Sequence, residues 1–349
     1  MLPCDYGFLP LKECGVLEKF MFSDIPNCEL PDTESSSTTV TVLGRKALGG
    51  RHGMLIGPQS WIYRAQIGGA DGSTASAIFK FIWHPRDGSE VAVHKKVQEM
   101  GIPYIPRLLH SATIAARSQG QNLKHKLQGE ILVIEDAGLS VYEFAFKAIR
   151  GGRSNRLVDI FAGYLHTLLA ALTVDEDIYV LHRDVSIGNL FVCNNQPVVI
   201  DWGCGMIAQR IVPRDPSDIE FVGTAPFMGI RVLQNSPTRT LIDDLESLFL
   251  VLAHIVWNAH GSKSSNYQVL WGRTSEMMDV ANSRTLWLGS ETELVNHMGL
   301  KQKESVLIDL VKRLYKLLFP ADIRIGDISN LATDPRMAKF SALQWLEEF

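Results

Sequence analysis

The period of the apolar residues changes once along this chain, near Asp136, and that change constrains the fold more than any other feature. Before it, apolar residues alternate or form short β-prone runs. Val40-Thr41-Val42-Leu43, Ser60 to Ile67 and Ser76 to Trp83 read as strands, with Gly68-Gly69-Ala70-Asp71-Gly72 as a turn signal between the last two. Glu90 to Met100 reads as a helix. Two more strands are expected near Thr113 and over Ile131 to Ile134, separated by a polar loop from Ser118 to Gln128. After Asp136, Leu157 to Leu172, Leu241 to Trp257 and Glu304 to Leu318 carry apolar residues at helical spacing. The expected class is α+β and bilobal: a small β-rich N-terminal lobe with one helix, then a larger, mainly helical lobe. The expected divisions are 1–39 as a polar N-terminal extension, 40–136 as the first lobe and 137–349 as the second.

Composition removes several function classes. A net charge of −4 lacks the basic excess that nucleic-acid binding needs, so no nucleic-acid partner is expected. The five cysteines, Cys4, Cys14, Cys28, Cys193 and Cys204, include no CxxC spacing. Neither a zinc site nor a disulfide framework is expected, and an intracellular compartment, cytoplasmic or nuclear, fits best. The N-terminal MLPCDYGFLPLKE lacks the basic and apolar regions of a signal peptide. The longest apolar run, Leu245 to Trp257, contains Glu246 and His254 and is too short to span a bilayer. It reads as a buried helix, and no membrane partner is expected.

The most informative stretch runs from Leu181 to Gly203. Leu190 to Cys193 and Val198 to Ile200 are β-prone, and Asn194-Asn195-Gln196-Pro197 between them is a turn, so the stretch reads as a hairpin. Asn189 precedes its first strand and Asp201 follows its second, and antiparallel pairing brings those ends together. An amide oxygen and a carboxylate at one open end are hard ligands of the kind that hold Mg²⁺ shared with phosphates. Asp184, five residues before Asn189, is placed to accept a proton from an attacking hydroxyl.

Lys80 lies on the strand Ile78-Phe79-Lys80-Phe81-Ile82-Trp83. Alternation puts Phe79, Phe81 and Trp83 on one face and Ile78, Lys80 and Ile82 on the other. An ammonium on a buried apolar face needs an anion. Phosphates and a carboxylate on the next helix would supply it, with Glu90 the first choice and Glu99 the rival. The alternative is an edge lysine reaching out to water.

His182-Arg183-Asp184 to Asn189, followed by Asp201-Trp202-Gly203, resembles the HRDxxxxN and DFG motifs of protein kinases, with Trp202 in place of Phe. Lys80 and Glu90 are similar to the strand lysine and helix glutamate of that fold. Asp243-Asp244-Leu245-Glu246-Ser247-Leu248 resembles the corresponding helix of the casein kinase one group and of the fungal-type protein kinases. The fungal-type family is the nearest match, supported by Gly101 to Leu108, Leu132 to Gly138 and Trp271 to Leu288.

The resemblance implies ATP and Mg²⁺ as cofactors and a protein substrate. It implies Asp184 as the base, Asn189 and Asp201 as metal ligands, and Lys80 with Glu90 at the phosphates. It places Ile62 and Ile78 above the adenine, Phe191 below it, and Ile134-Glu135-Asp136-Ala137 as the hinge. It also implies that Asp244 holds the backbone of the catalytic loop. Phe221 to Met228 is similar to the GT-containing docking loop of Ser/Thr kinases, with Thr224 hydrogen-bonded near Asp184 and Ser217 a phosphorylation candidate facing Arg183, a role Asp218 and Glu220 could fill unmodified.

The chain departs from the pattern in three places. Of the glycine loop GxGxxGxV, Leu55 to Ile62 keeps Gly57 alone, with Pro58 and Ser60 inside it. Ser186 stands where a basic residue would stabilise the γ-phosphate. Met228-Gly229-Ile230 stands near the place of the APE triplet. The reading is an ATP-dependent Ser/Thr protein kinase. The alternatives are a pseudokinase that acts as an interaction module and a small-molecule phosphotransferase.

Overall fold

The computed structural model describes residues 28–29, 41–50, 59–68, 74–84, 90–115, 128–171, 179–208, 222–234, 239–260, 277–300 and 304–318. Gly57, Pro58, Ser217, Asp218, Glu220, Phe221 and Trp271 lie outside the described residues, as do most of the expected extension and of the polar loop after Ser118. The chain divides into two compact units. One comprises Met1–Lys95 with Pro106–Asp136, the other Lys96–Ile105 with Ala137–Phe349.

The first unit is built on one antiparallel sheet of β1 (Cys28–Glu29), β2 (Thr41–Gly50), β3 (Gln59–Gly68), β4 (Thr74–His84), β5 (Leu108–Ala115) and β6 (Gln128–Glu135), with helix α1 beginning at Glu90 (Glu90–Glu99). Spatial order is β1-β2-β3-β4-β6-β5. Two features differ from the sequence reading. Cys28 and Glu29, placed in the extension, add an edge strand against Val42 and Thr41. Strand β2, expected to end at Leu43, continues to Gly50, pairing Gly49 with Ile62 and Gly50 with Trp61 after a register shift. A neighbouring strand's hydrogen bonds offset the weak strand preference of the glycines there.

Register assigns the two faces of this sheet. Tyr63, Phe79 and Val133 lie side by side, as do Ile62, Lys80 and Leu132. Phe79, Phe81, Ile131 and Val133 are at most 1% exposed. On the opposite face Ile78, Leu132 and Ile134 form a cluster against which Ile62, Val91 and Leu108 pack. Both faces of β4 are therefore covered, which is why its sequence reads as a continuous apolar run broken by one lysine.

The second unit holds β7 (Leu139–Ser140), α2 (Val141–Arg150), α3 (Asn155–Ala170), β8 (Tyr179–Leu181), β9 (Leu190–Cys193), β10 (Gln196–Val199), β11 (Met206–Ala208), α4 (Ile230–Leu233), α5 (Leu241–His260), α6 (Met277–Trp287), α7 (Glu291–His297) and α8 (Ser305–Leu318). Its axis is α5, with Leu248, Phe249, Leu250, Val251, Leu252 and Ala253 all at 0% exposure. A helix apolar on every side belongs in a core, and α2, α3 and α8 pack around it. No helix among the described residues is long and apolar enough to cross a membrane.

Capping fixes where the central helix starts. Asp243 returns its Oδ2 to the Thr240 backbone N–H at 2.6 Å and the Thr240 hydroxyl at 3.2 Å. This is the reciprocal half of a capping box, and it sets the rotation of the first turn. That rotation decides which way Asp244 and Glu246 point.

Candidate active site

The hairpin is tighter than the sequence suggested. Its turn is Asn194-Asn195 alone, both residues at positive φ (52° and 61°), and Gln196 and Pro197 already belong to β10. Two-residue turns of that hand match strand twist, and asparagine tolerates the left-handed region. Pro197 is accommodated because β10 is an edge strand, and it packs against Gly163 of α3. At the mouth the Ile200 N–H donates to the Asn189 carbonyl at 3.0 Å, so Asn189 and Asp201 stand at the same end.

Asp184 is held from three directions. The Asn189 side-chain amide donates to its backbone carbonyl at 2.8 Å and to its Oδ2 at 3.0 Å. The Thr224 hydroxyl donates to Oδ1 at 2.7 Å. Both Asn189 amide hydrogens are thus directed at Asp184, and its Oδ1 is the side-chain atom left to act as a ligand. Asp184 and Asn189 are each 8% exposed. Burial raises the Asp184 carboxyl above its ordinary value and the Asp201 charge adds to that, while Thr224, His182 and Asn189 oppose it.

The loop carrying Asp184 is itself anchored from the core. Asp244 Oδ2 accepts the His182 N–H at 2.8 Å and Oδ1 accepts the Arg183 N–H at 2.9 Å. These bonds hold Arg183 at φ 67°, a conformation that costs a non-glycine residue about 1 kcal/mol or more. Burial raises the Asp244 carboxyl, opposed by His182 and by these two N–H groups. His182 Nδ1 accepts the Asp184 N–H at 3.3 Å, so Nε2 carries the proton and donates to the Ile200 carbonyl at 2.9 Å. Its ring lies 4.7 Å from that of Trp202, which is fully buried. Asp201, just before Trp202, has φ 61° and ψ 62°. The larger indole thus occupies the position of the expected Phe, and His182 ties the Asp184 loop to the carbonyl preceding Asp201.

In the first unit, Lys80 Nζ lies 3.0 and 2.8 Å from the Glu90 carboxylate oxygens. Glu90 is 3% exposed, whereas the rival Glu99 is exposed on the same helix. The Val91 N–H at the start of α1 meets Glu130 Oε2 at 3.4 Å, an anion at a helix N-terminus. Ile62 is the cross-strand neighbour of Lys80, and Ile78 and Ile134 sit in the next row of the same face. In the expected hinge, the Glu135 N–H donates to the Arg107 carbonyl at 3.0 Å and the Asp136 N–H to the Ser76 carbonyl at 3.3 Å. Asp136 is also held by Arg64 at 2.8 Å and by the Ser76 hydroxyl at 2.7 Å. Ala137 is buried in the second unit, and Phe191 is half-buried on β9 with its carbonyl accepting from Tyr164. The expected site residues therefore fall in both units: Ile62, Ile78, Lys80, Glu90, Ile134 and Glu135 in one, Ala137, Asp184, Asn189, Phe191 and Asp201 in the other.

The ion pair makes a separable prediction. Lys80→Met should cost about 3–5 kcal/mol, because it leaves Glu90 buried without its ammonium. Lys80→Met combined with Glu90→Leu should recover most of that loss. Urea denaturation of the two variants measures the difference, and equal losses would contradict the pairing.

Three further charged residues, to which the sequence reading gave no role, surround the segment that carries Thr224. Arg239 donates through Nη2 to the Val222 carbonyl at 2.7 Å, and burial lowers its guanidinium while Asp243 and Asp244 oppose that. Glu246 accepts the Ile230 N–H at 3.0 Å, and burial raises it to about 7. Arg284 is 0% exposed and donates to the Met228 and Pro226 carbonyls, and burial lowers it to about 10. Gly223, at φ 121°, lets the same segment pass the loop that carries Asp184, since a Cβ there would meet the Arg183 carbonyl oxygen at 2.7 Å. The sequence signal for Glu246 was its place in a helix too apolar to be amphipathic. Arg239 had none, and Arg284 lay unremarked within Trp271 to Leu288.

The part of this geometry that centres on Asp184 lies in the span that comparison with known families identifies. Residues 130–256 match the fungal protein kinase family. The chain is kinase-like. The match runs from Glu130 on β6 to Val256 on α5 and takes in Asp184, Asn189, Asp201, Thr224 and Asp244. Among curated proteins, no significant match to this kinase-like chain was found.

Proposed function

We propose that this kinase-like chain is an active ATP-dependent protein kinase that transfers the γ-phosphoryl group of MgATP to Ser or Thr hydroxyls of protein substrates. One observation carries the reading: the Asp184 carboxylate is buried, gripped by Asn189 and Thr224, on a loop whose backbone is fixed by Asp244. A solvated loop aspartate has no need of such restraint. A general base does, since its oxygen must stay within hydrogen-bond reach of the attacking hydroxyl.

Asp184 accepts the proton of the substrate hydroxyl. Asn189 Oδ1 and the Asp201 carboxylate are hard oxygen donors that suit a cation taking its other ligands from phosphates. A bound Mg²⁺ would supply neutralisation of charge on the phosphates. Lys80, held by Glu90, orients them. The Glu135 and Asp136 N–H groups are occupied by carbonyls, so the backbone donor to the adenine falls to Ala137. The kinase resemblance assigns Ile62, Ile78 and Phe191 to the adenine. With Ser186 in place of a cation, turnover rests more heavily on the metal and Lys80.

A second reading, an interaction module without turnover, is favoured by Ser186 and by the loss of glycines around Gly57. Two measurements separate the readings. At ATP 100-fold above its Kd, with Mg²⁺, binding should add about 2.7 kcal/mol of stability and raise Tm by a few degrees. The shift should vanish in Asp201→Ala and shrink in Lys80→Ala. A Tm shift without transfer of labelled phosphate to any member of a Ser/Thr peptide library leaves the interaction module. No shift at all removes ATP from the reading.

A further inference from the structure

The segment from Val222 to Ile230 contains no acidic and no basic residue, and near its end Met228-Gly229-Ile230 offers no side chain able to anchor it electrostatically. It is nevertheless clamped from two helices. Glu246, on the second turn of α5 and 5% exposed, accepts the Ile230 N–H through Oε1 at 3.0 Å. Its Oε2 stands 2.7 Å from the point where a Cβ on residue 229 would lie, so Gly229 is the socket for this carboxylate. Arg284, fully buried on α6, directs Nη1 to the Met228 carbonyl and Nη2 to the Pro226 carbonyl. Phe227, between these contacts, sets its ring edge-on to His254 of α5 at 5.5 Å.

Burying a carboxylate and a guanidinium is a poor way to gain stability, because well-packed apolar side chains do as well without the desolvation penalty. What such a pair adds is direction. Here its hydrogen bonds fix the backbone at positions 226, 228 and 230, two to six residues beyond Thr224, whose hydroxyl holds Asp184 Oδ1 at 2.7 Å. The Phe227 N–H returns to the Thr224 carbonyl at 2.8 Å, linking the clamped turn to that threonine.

We propose that Glu246 and Arg284 are a positioning pair: a carboxylate from the central helix and a guanidinium from α6 lock residues 224–230 so that Thr224 stays on Asp184. The carboxylate reaches in from the core instead of being carried by the segment, and Gly229 makes room for it. The effect on turnover rests on the kinase reading. The effect on the segment and on Asp184 does not.

The test uses the full chain and two readouts that need no phosphotransfer. One is amide hydrogen exchange. The other is the NMR signal of the Thr224 hydroxyl proton, seen while its hydrogen bond to Asp184 shields it from exchange with water and assigned with Thr224→Val. Arg284→Lys keeps the charge but loses the planar fork. It should speed exchange at Phe227, Met228 and Ile230 at least ~10-fold, with amides of Asn155–Ala170 changed by less than about twofold. It should also broaden or abolish the Thr224 hydroxyl signal, since the hydrogen bond from Thr224 to Asp184 is weakened. Glu246→Gln, which keeps an acceptor for Ile230 but removes the charge facing Arg284, should shift both readouts the same way by a smaller factor. It replaces Arg284→Lys as the deciding variant if the latter does not fold. Unchanged exchange in the folded variant overturns the proposal. So does faster exchange with an unchanged Thr224 hydroxyl signal, which reduces the pair to packing. If the wild-type protein transfers no phosphate, the kinase reading fails while these two readouts still decide the anchor. If it does, Arg284→Lys should lower kcat at least ~10-fold with the KM for ATP within about twofold.

Discussion

Asp184→Asn should lower the rate of phosphotransfer by about 10²–10⁴-fold, the range that positioned general bases contribute, while the MgATP-induced rise in Tm persists. The amide is nearly isosteric, but it turns one carboxylate oxygen into a donor. Asn189 Nδ2 and the Thr224 hydroxyl both donate to this side chain, at 3.0 and 2.7 Å, so the new amide keeps its oxygen toward Asn189 and the Thr224 hydroxyl turns to accept. The fold survives because removing a buried charge relieves desolvation at the same time. In the wild-type protein the base must be ionised, and its value is raised by burial. The rate therefore falls as pH drops through a midpoint above that of an ordinary aspartate, and is full above it. A pH–rate profile with an acid limb at or below the ordinary aspartate range, or an Asp184→Asn variant as active as wild type, would remove Asp184 from the chemistry.

The largest loss of stability is expected at Asp244, which binds no substrate. Its two oxygens satisfy the N–H groups of His182 and Arg183, at 2.8 and 2.9 Å, inside the core. Asp244→Ala orphans both donors at about 1–3 kcal/mol each and releases Arg183 from its left-handed conformation. The expected cost is about 3–6 kcal/mol, which approaches the whole stability of many proteins. Asp244→Asn retains one acceptor and should lose roughly half as much. Chemical denaturation gives the two values. A loss under about 1 kcal/mol for Asp244→Ala would mean that water satisfies those amides. Where the alanine variant still folds, its activity should fall with its stability, because the loop that presents Asp184 is the part set free. Asp184→Asn should do the reverse, losing rate with little loss of stability.

Much of the frame was legible in the amino-acid order because its signals are local. Alternation along Ile78 to Trp83 separates the two faces of β4, and the apolar run from Leu245 to Trp257 is long enough to read as a buried helix. Asn189 and Asp201 flank one hairpin, so strand pairing alone brings them to one mouth. The turn was read too long because Gln196-Pro197 looks like loop sequence. Two asparagines suffice for a left-handed two-residue turn, and an edge strand accepts a proline.

Sequence order by itself determined the change from strands to helices, the hairpin, and the spacing of Asp184, Asn189 and Asp201, since each depends on periodicity or turn chemistry within a few residues. Tertiary structure alone decided which carboxylate Lys80 meets: Glu90 and Glu99 share one helix, and packing buries the first and exposes the second. It also decided that Glu246 and Arg284, fifty or more residues from Pro226 and Asp184 in the case of Arg284, close on a segment that carries no charge. Buried charges choose partners by desolvation and by the direction of the hydrogen bonds offered, and both exist only once the helices have packed.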